Sequence, residues 1–295
     1  MLNHSIERRL NNITDLPVVP AHLGQILKSL DNPNIRAKKL AEQIETDQSL
    51  TTKILKAANS PYYGSAGRIS TIELAIVIMG LNTIKEIIIG MVVRKFFNKV
   101  PSYLFDVKLF WNYSIYCGSA SRLIARKIGF KKAGEAFVAG LMHDLGILII
   151  IQYFSHEFSE INSLVQSGKY TMRKAEQLVI GADHCELGSW LANKWSLPAP
   201  LVNSIKYHHS KPSDLPDDID EDSVKLSMIV SASEWFAQLT ANKSWSNESE
   251  QPPYFSTGKD ILNIYQDELI DLKGSIALFR HEIDAEFSRA SELNP

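Results

Sequence analysis

The sequence predicts an all-α fold, and three observations support this prediction. Apolar residues recur at intervals of three and four along most of the 295-residue chain, which is the period of an amphipathic helix. Val, Ile and Thr do not gather into alternating runs bounded by turn pairs, so β-strands are not expected. The run 146–151 most resembles a strand, but it continues a helical pattern.

Helix boundaries can be predicted in the first third of the chain. Asp47 precedes residues 48–59 and can cap that helix with its carboxylate. The segment Ser70-Thr71-Ile72-Glu73 has the S-x-x-E form of a capping box, which places Ser70 at the cap. The helix that it opens should end near Gly80.

Two helices can also be bounded in the second half. Asp183-His184-Cys185-Glu186 has the same capping spacing and should open a helix over residues 185–195. Pro198 and Pro200 end this helix and favour a new one over residues 201–209.

The chain is predicted to divide into three segments. These are an N-terminal helical lobe (1–104), a helical bundle (105–240), and a polar loop with a C-terminal helical tail (241–295). Turn-rich or polar stretches should form loops at 59–64, 211–222 and 242–258, and a last helical segment should follow at 260–291.

Composition excludes several classes of protein. A hydrophobic content of 45% and a charged content of 22% are ordinary for a globular chain, and they exclude disorder, collagen and coiled-coil arrays. The net charge of −2 does not indicate a nucleic-acid-binding protein. Cys117 and Cys185 form no CxxC pair, so neither a zinc motif nor a redox motif is predicted.

No membrane segment or targeting segment is expected. The N-terminal residues have no signal-peptide pattern. The longest apolar runs, 75–81 and 145–151, are shorter than the ~20 residues that span a bilayer. We therefore expect a cytoplasmic protein with no membrane partner.

The pair His143-Asp144 is the first candidate for chemistry. On a continuous helix, Asp144 would share the apolar face of Phe137, Leu141 and Leu148. An unpartnered buried carboxylate costs several kcal/mol. Asp144 should therefore have a hydrogen-bond donor, a cation or a metal ion beside it.

Three more histidines are predicted to face inward, because His184, His208 and His209 share helical stripes with apolar residues. Together with His143 and Asp144, they form a set of imidazoles and one carboxylate that is typical of a metal-binding site. Such a set suits one divalent iron, manganese, zinc or nickel ion. The alternative is a buried hydrogen-bonded network without a metal. The remaining histidines have no such context: His4, His22, His156 and His281.

Residues 72–79 and 83–93 could be read as a helix-turn-helix. The second helix of such a motif needs polar and basic residues to read DNA, but this one is almost entirely apolar. DNA is therefore not an expected partner.

A series of short motifs resembles the HDOD family, the HD-related output domains of bacterial signalling proteins. The motifs occur in the family's order and are IETDQSLT (44–51), LKAANS (55–60), YG (63–64), GLMHDLG (140–146), HCELG (184–188) and YHH (207–209). The resemblance covers residues 14–240 and implies an N-terminal helical lobe packed on a degenerate HD-type helical bundle.

The sequence departs from the catalytic relatives at two positions. The resemblance implies that those relatives hydrolyse phosphate esters at one or two metals, with a first His and a final Asp among their ligands. Tyr113 and Ser233 occupy these positions here, and a neutral hydroxyl is a poor ligand for a divalent ion. Two-metal chemistry needs both cations, so phosphodiesterase activity is not expected. A second site, of the kind found in two-metal relatives, could still hold one metal through Asp144, His184, His208 and His209.

The resemblance therefore implies a non-catalytic signal-transduction or regulatory module. It would bind a signalling protein partner, or a nucleotide-type ligand in the former active site beside Tyr113 and Ser233. Asp47, Asn59 and Ser60 are candidates for an interaction surface, with helix capping and turn formation as the alternative. Two alternatives remain: a metal-dependent phosphohydrolase with a reduced metal site, and a scaffold that binds neither metal nor ligand.

Overall fold

A computed structural model describes residues 4–13, 19–30, 32, 34–60, 63, 69–97, 105–241 and 276–293. All regular structure in this part of the chain is helical, so the all-α prediction is confirmed. The helices are α1 (His4–Asn11), α2 (Ala21–Leu30), α3 (Ala37–Ile44), α4 (Gln48–Ala58), α5 (Ile72–Met79), α6 (Leu81–Phe97), α7 (Val107–Lys127), α8 (Ala133–Met142), α9 (Leu145–Tyr153), α10 (Ser155–Gln166), α11 (Met172–Val179), α12 (His184–Lys194), α13 (Ala199–Tyr207), α14 (Glu221–Ala241) and α15 (Ile276–Leu293).

The predicted caps are confirmed at two helices and wrong by one residue at a third. Asp47 accepts the backbone N–H of Leu50 at the start of α4. Asp183 forms a reciprocal capping box with Glu186 at the start of α12. At α5, however, Thr71 is the cap, and its side chain accepts the N–H of Leu74. The prediction of Ser70 as the cap is therefore wrong: threonine is also a favourable capping residue, and Thr71 directly follows Ser70.

Two hydrophobic cores organise the described helices. One core lies among α2 to α6 and includes Leu23, Ile54 and Ile87. The other lies among α7 to α14 and also takes in residues of α1, α6 and α15. The side chain of Trp195 packs against both cores. The division at residue 104 stays a prediction, because residues 98–104 lie outside the described part.

The C-terminal helix is joined to both cores through buried charges. Arg122 on α7 forms ion pairs with Glu86 on α6 and with Glu286 on α15, the latter at 2.9 Å. The helix predicted at 260–291 is observed from residue 276, and residues 242–275 lie outside the described part. The acidic segment 211–222 is largely exposed, and its last two residues already belong to α14.

One stretch of the described chain has the length and composition of a membrane span. It covers Ala133–Tyr153, and 83% of its most apolar window is buried inside the fold. Ile72–Met79 and Leu81–Arg94 meet the same criterion only as a pair, and they are bent by 109° at Gly80. Core helices of globular proteins have this composition as well.

Candidate metal centre

The pair His143-Asp144 lies at a break between α8 and α9. The prediction of one continuous helix through the pair is therefore wrong. In such a helix the carbonyl of Gly140 would accept the backbone N–H of Asp144. Instead, Nδ1 of His143 lies 2.8 Å from that carbonyl oxygen. The prediction that both residues face inward is correct, since their exposed fractions are 0% and 7%.

Glycine allows the start of α9 to approach the start of α12. A Cβ atom on Gly146 would overlap the backbone carbonyl of His184. A Cβ atom on Gly188 would in turn lie 3.0 Å from the backbone nitrogen of Gly146. These two positions need glycine because of this close approach, and the approach places His184 beside Asp144.

Two of the buried histidines are anchored by backbone carbonyls of their own helices. Nδ1 of His143 lies 2.8 Å from Gly140 O, and Nδ1 of His208 lies 2.8 Å from Ile205 O. A carbonyl oxygen can only accept a hydrogen bond, so Nδ1 carries the hydrogen in both rings. When these rings are neutral, each Nε2 atom therefore presents a lone pair.

The third histidine is anchored by a carboxylate. Oε2 of Glu176, on α11, lies 2.7 Å from Nδ1 of His184 and also accepts the backbone N–H of His184 at 2.9 Å. Glu176 is fully buried. A carboxylate bound to one ring nitrogen fixes the tautomer and orients the other nitrogen, as it does for metal-binding histidines.

The three free Nε2 atoms converge on Asp144. They lie 3.1 Å (His143), 3.6 Å (His184) and 3.7 Å (His208) from its carboxylate oxygens. None of the three makes a hydrogen bond with the described residues, although each is buried. Lone pairs that face a carboxylate repel it unless a proton or a cation lies between them. These donor types suit a metal ion of the iron, manganese, zinc or nickel type. His143, Asp144 and His208 lie close enough together to share one ion, and His184 would have to move towards them to become a fourth ligand.

The pKa shifts in the cluster point in two directions. Burial lowers the pKa of His208 to about 4, although the nearby carboxylate of Asp144 opposes this shift, so its ring is neutral at pH 7. Burial acts to raise the pKa of Asp144, but His143, His208 and His184 together outweigh burial and hold that pKa well below its ordinary value. His208 and Asp144 therefore have the neutral imidazole and ionised carboxylate forms that bind metals. Against the effect of burial, Asp144 raises the pKa of His143, and Cys185 and Glu176 raise that of His184 well above its ordinary value, so a metal ion would compete with protons for these two rings.

His209 lies beside the cluster and faces a second acid. Its ring centroid is 4.1 Å from that of His208, and its Nδ1 atom is 3.5 Å from Oε2 of Glu234. Burial, together with the charge of Asp144, raises the pKa of Glu234 to about 7. His209 also belongs to a group of potential metal ligands with His184, Cys185 and His208.

The two hydroxyls expected in the pocket have different surroundings. The ring of Tyr113 lies 5.9 Å from that of His143, and its phenol is hydrogen-bonded to Cys117. Ser233 instead donates to Val230 O and accepts from Ser121. Tyr113 is therefore placed at the edge of the cluster, while the hydroxyl of Ser233 is engaged between α7 and α14.

The candidate interaction residues are not brought together. Asp47 and Asn59 lie at opposite ends of α4, roughly 18 Å apart at 1.5 Å per residue. Oδ2 of Asp47 also lies 2.8 Å from Nε2 of His22. Asn59 bonds the backbone N–H and carbonyl of Ile69, which closes the loop after α4. Ser60 follows Asn59 and is half-buried, and an interaction surface here stays a prediction.

Sequence reasoning missed two acids of this region, Glu176 and Glu234. A detectable signal existed for Glu176, because it shares the helical face of Met172 and Val179 at spacings of four and three. The resemblance aligns Ser233 with the final Asp ligand of the catalytic relatives. Glu234 is the next residue on α14, and it is a buried acid.

Comparison with known proteins decides the family. The HDOD domain family matches residues 16–211, which is most of the lobe and bundle described above. The chain belongs to the HDOD family. An HDOD domain protein of unknown function from Geobacter sulfurreducens is 27% identical, with a TM-score of 0.70 over 95% of this chain and 96% of that chain.

Two other proteins are also similar to this chain. A Shewanella amazonensis SB2B protein, provisionally described as a phosphohydrolase, is 22% identical, with a TM-score of 0.72 over 99% of this chain and 97% of that chain. An uncharacterized protein of Treponema pallidum (strain Nichols) is 23% identical over 203 residues, or 68% of this chain. This chain spans only 39% of the length of that curated relative.

Proposed function

We propose that this HDOD chain is a regulatory, non-catalytic module whose HD-type pocket holds one divalent metal ion. One observation carries the proposal: the unpartnered Nε2 atoms of His143, His184 and His208 surround the carboxylate of Asp144. A bound metal would supply the positive charge that this arrangement of lone pairs and carboxylate requires.

The proposed ligands come from separate elements of the bundle. His143 and Asp144 lie at the α8–α9 junction, His184 begins α12, and His208 follows α13. A metal bound to all four would tie these elements together, and its binding energy would add to the stability of the bundle. Such a centre would couple metal supply to the surface that a signalling protein partner recognises.

Burial argues against turnover at this centre. The side chains of the four ligands expose at most 9% of their surface, and Tyr113 lies against His143. Metal-assisted hydrolysis needs an open coordination position that water and a phosphate ester can reach. A site of this kind favours a structural or regulatory metal.

A second candidate function is a metal-dependent phosphohydrolase with a reduced metal site. Glu234 favours it, because a buried carboxylate beside His209 could complete a second group of ligands. The provisional description of the Shewanella amazonensis relative is of this class.

Turnover of bis(p-nitrophenyl) phosphate with added Mn²⁺ or Fe²⁺ distinguishes the two candidates. Wild-type protein, Asp144→Ala and His156→Ala would be compared, the last being an exposed histidine outside the cluster. The proposal expects no turnover above the buffer rate in any of the three. Metal-dependent turnover that is retained in His156→Ala and lost in Asp144→Ala would overturn it in favour of the hydrolase.

A further inference from the structure

A second cavity lies between the two cores, away from the candidate metal centre. It has a volume of about 360 Å³ and is bounded by α2 and α6 on one side and by the α12–α13 connection on the other. Trp195, which packs against both cores, forms part of its wall. A cavity of this size falls within the range that small-molecule ligands occupy.

Two helices separate this cavity from the metal centre. α12 begins at His184 and ends at Lys194, which lines the cavity, so the two sites are roughly 15 Å apart along its 11 residues. α13 runs the other way, from Leu201 in the cavity wall to His208 after its last residue. The cavity is therefore distinct from the candidate metal centre at His143 and Asp144.

The charged residues that line the cavity are basic. Lys28 from α2, Lys85 from α6 and Lys194 from α12 line it, although the whole chain has a net charge of −2. None of the described residues that line the cavity is acidic. Three ammonium groups from three different helices raise the local concentration of anions, and phosphate is an anion that lysine binds as a point charge.

Much of the remaining lining is apolar, and one of its residues is aromatic. Trp195 is half-buried, and Val19, Ile89 and Leu201 also line the cavity. An indole offers a flat surface on which a heteroaromatic ring can stack. A ligand that matches this lining has an anionic group and a flat, weakly polar body.

We propose that this interlobe cavity binds a small nucleotide, with its phosphate among Lys28, Lys85 and Lys194 and its base against Trp195. Such a ligand would contact residues of both cores at once. This proposal rests on the cavity alone and does not require the metal centre.

Isothermal titration of the full-length chain with AMP, GMP and inorganic phosphate tests the proposal. At least one nucleotide should bind one-to-one and at least tenfold more tightly than phosphate. The double variant Lys85→Gln/Lys194→Gln should weaken that binding tenfold or more. The matched control Lys169→Gln/Lys211→Gln removes two exposed lysines that do not line the cavity, and it should change the affinity less than twofold.

Circular dichroism and metal content would be measured on the same samples, so that misfolding or loss of the metal centre is recognised. A second readout needs no lysine variant, because nucleotide should quench tryptophan fluorescence in the wild type and less in Trp195→Phe. The proposal is overturned if neither nucleotide binds saturably, if phosphate binds as tightly as the nucleotides, or if folded Lys85→Gln/Lys194→Gln binds as the wild type does.

Discussion

Nδ1 of His184 lies 2.7 Å from Oε2 of Glu176, and the same oxygen accepts the backbone N–H of His184. One buried carboxylate thus fixes both the first residue of α12 and the tautomer of its ring. The free Nε2 atom is consequently directed at Asp144, 3.6 Å away. Glu176 is therefore a positioning residue for the proposed metal centre.

Replacing Glu176 with glutamine tests this role. The amide is a weaker acceptor than the carboxylate, so His184 should be held less firmly in the required tautomer. We expect metal affinity to fall roughly 10- to 100-fold, as it does when comparable partners of metal-bound histidines are removed. Competition with a chelator of known affinity measures the change. Glu160→Gln, an exposed acid on α10, is the control, and equal affinities in the two variants would refute the role.

Gly146→Ala tests the close approach of α9 and α12. The new Cβ atom would overlap the carbonyl of His184, so the two helices must separate. We expect a loss of about 3 kcal/mol in the free energy of unfolding, together with loss of metal binding. Chemical denaturation measures the first and elemental analysis the second. Gly24→Ala on α2, where a Cβ atom meets only Val19 at 3.9 Å, should retain both properties. Full metal binding by Gly146→Ala would contradict the geometry.

The buried ion pairs of Arg122 predict a pH-dependent stability. Burial, together with repulsion from Glu286, raises the pKa of Glu86 from 4.5 to about 7, although Arg122 opposes this shift. Between these two values the folded protein binds a proton that the unfolded chain has released. The contribution of Glu86 to stability is therefore present at pH 4.5 and is lost as the pH rises to 7.

Glu86→Gln removes this titration. As the pH rises from 4.5 to 7, the wild type should lose about 2 to 3 kcal/mol of unfolding free energy relative to Glu86→Gln. Denaturant titrations of both proteins at three pH values in this window measure the difference. A constant difference would show that Glu86 is already ionised at pH 5.

Asp47→Ala tests whether this residue acts as a helix cap. Its carboxylate accepts the N–H of Leu50, so loss of the cap should lower the free energy of unfolding by about 1 kcal/mol. Asp47→Asn keeps an equivalent acceptor and should restore most of that stability. Thermal or chemical denaturation compares the three proteins. If alanine and asparagine were equally destabilising, the cap would not be the cause.

Local patterns in the sequence explain which parts of the fold could be predicted. The caps at Asp47 and Asp183 depend on residues within three positions of each other. Helical periodicity alone correctly predicts that His143, His184 and His208 are buried. The break at the HD pair was missed because it depends on a side chain, that of His143, which occupies a backbone acceptor.

The contacts that could not be predicted join residues distant in sequence or across an irregular turn. Glu176 reaches His184 through a connection that contains Gly181 at φ = 87°, a conformation that helical periodicity does not indicate. Arg122 meets Glu286 across 164 residues. Such pairs follow from how helices pack, and a single sequence does not specify that packing.

Metal titration of chelator-treated full-length protein tests the central claim most directly. Zn²⁺, Mn²⁺, Fe²⁺ and Ni²⁺ would be added separately to wild type, Asp144→Ala, His184→Ala and His156→Ala, with bound metal counted by elemental mass spectrometry. The account predicts about one equivalent of one of these metals in the wild type and in His156→Ala, and loss of that equivalent in both cluster variants. If the wild type binds none of the four metals, or if folded Asp144→Ala binds as much as the wild type, the claim is contradicted.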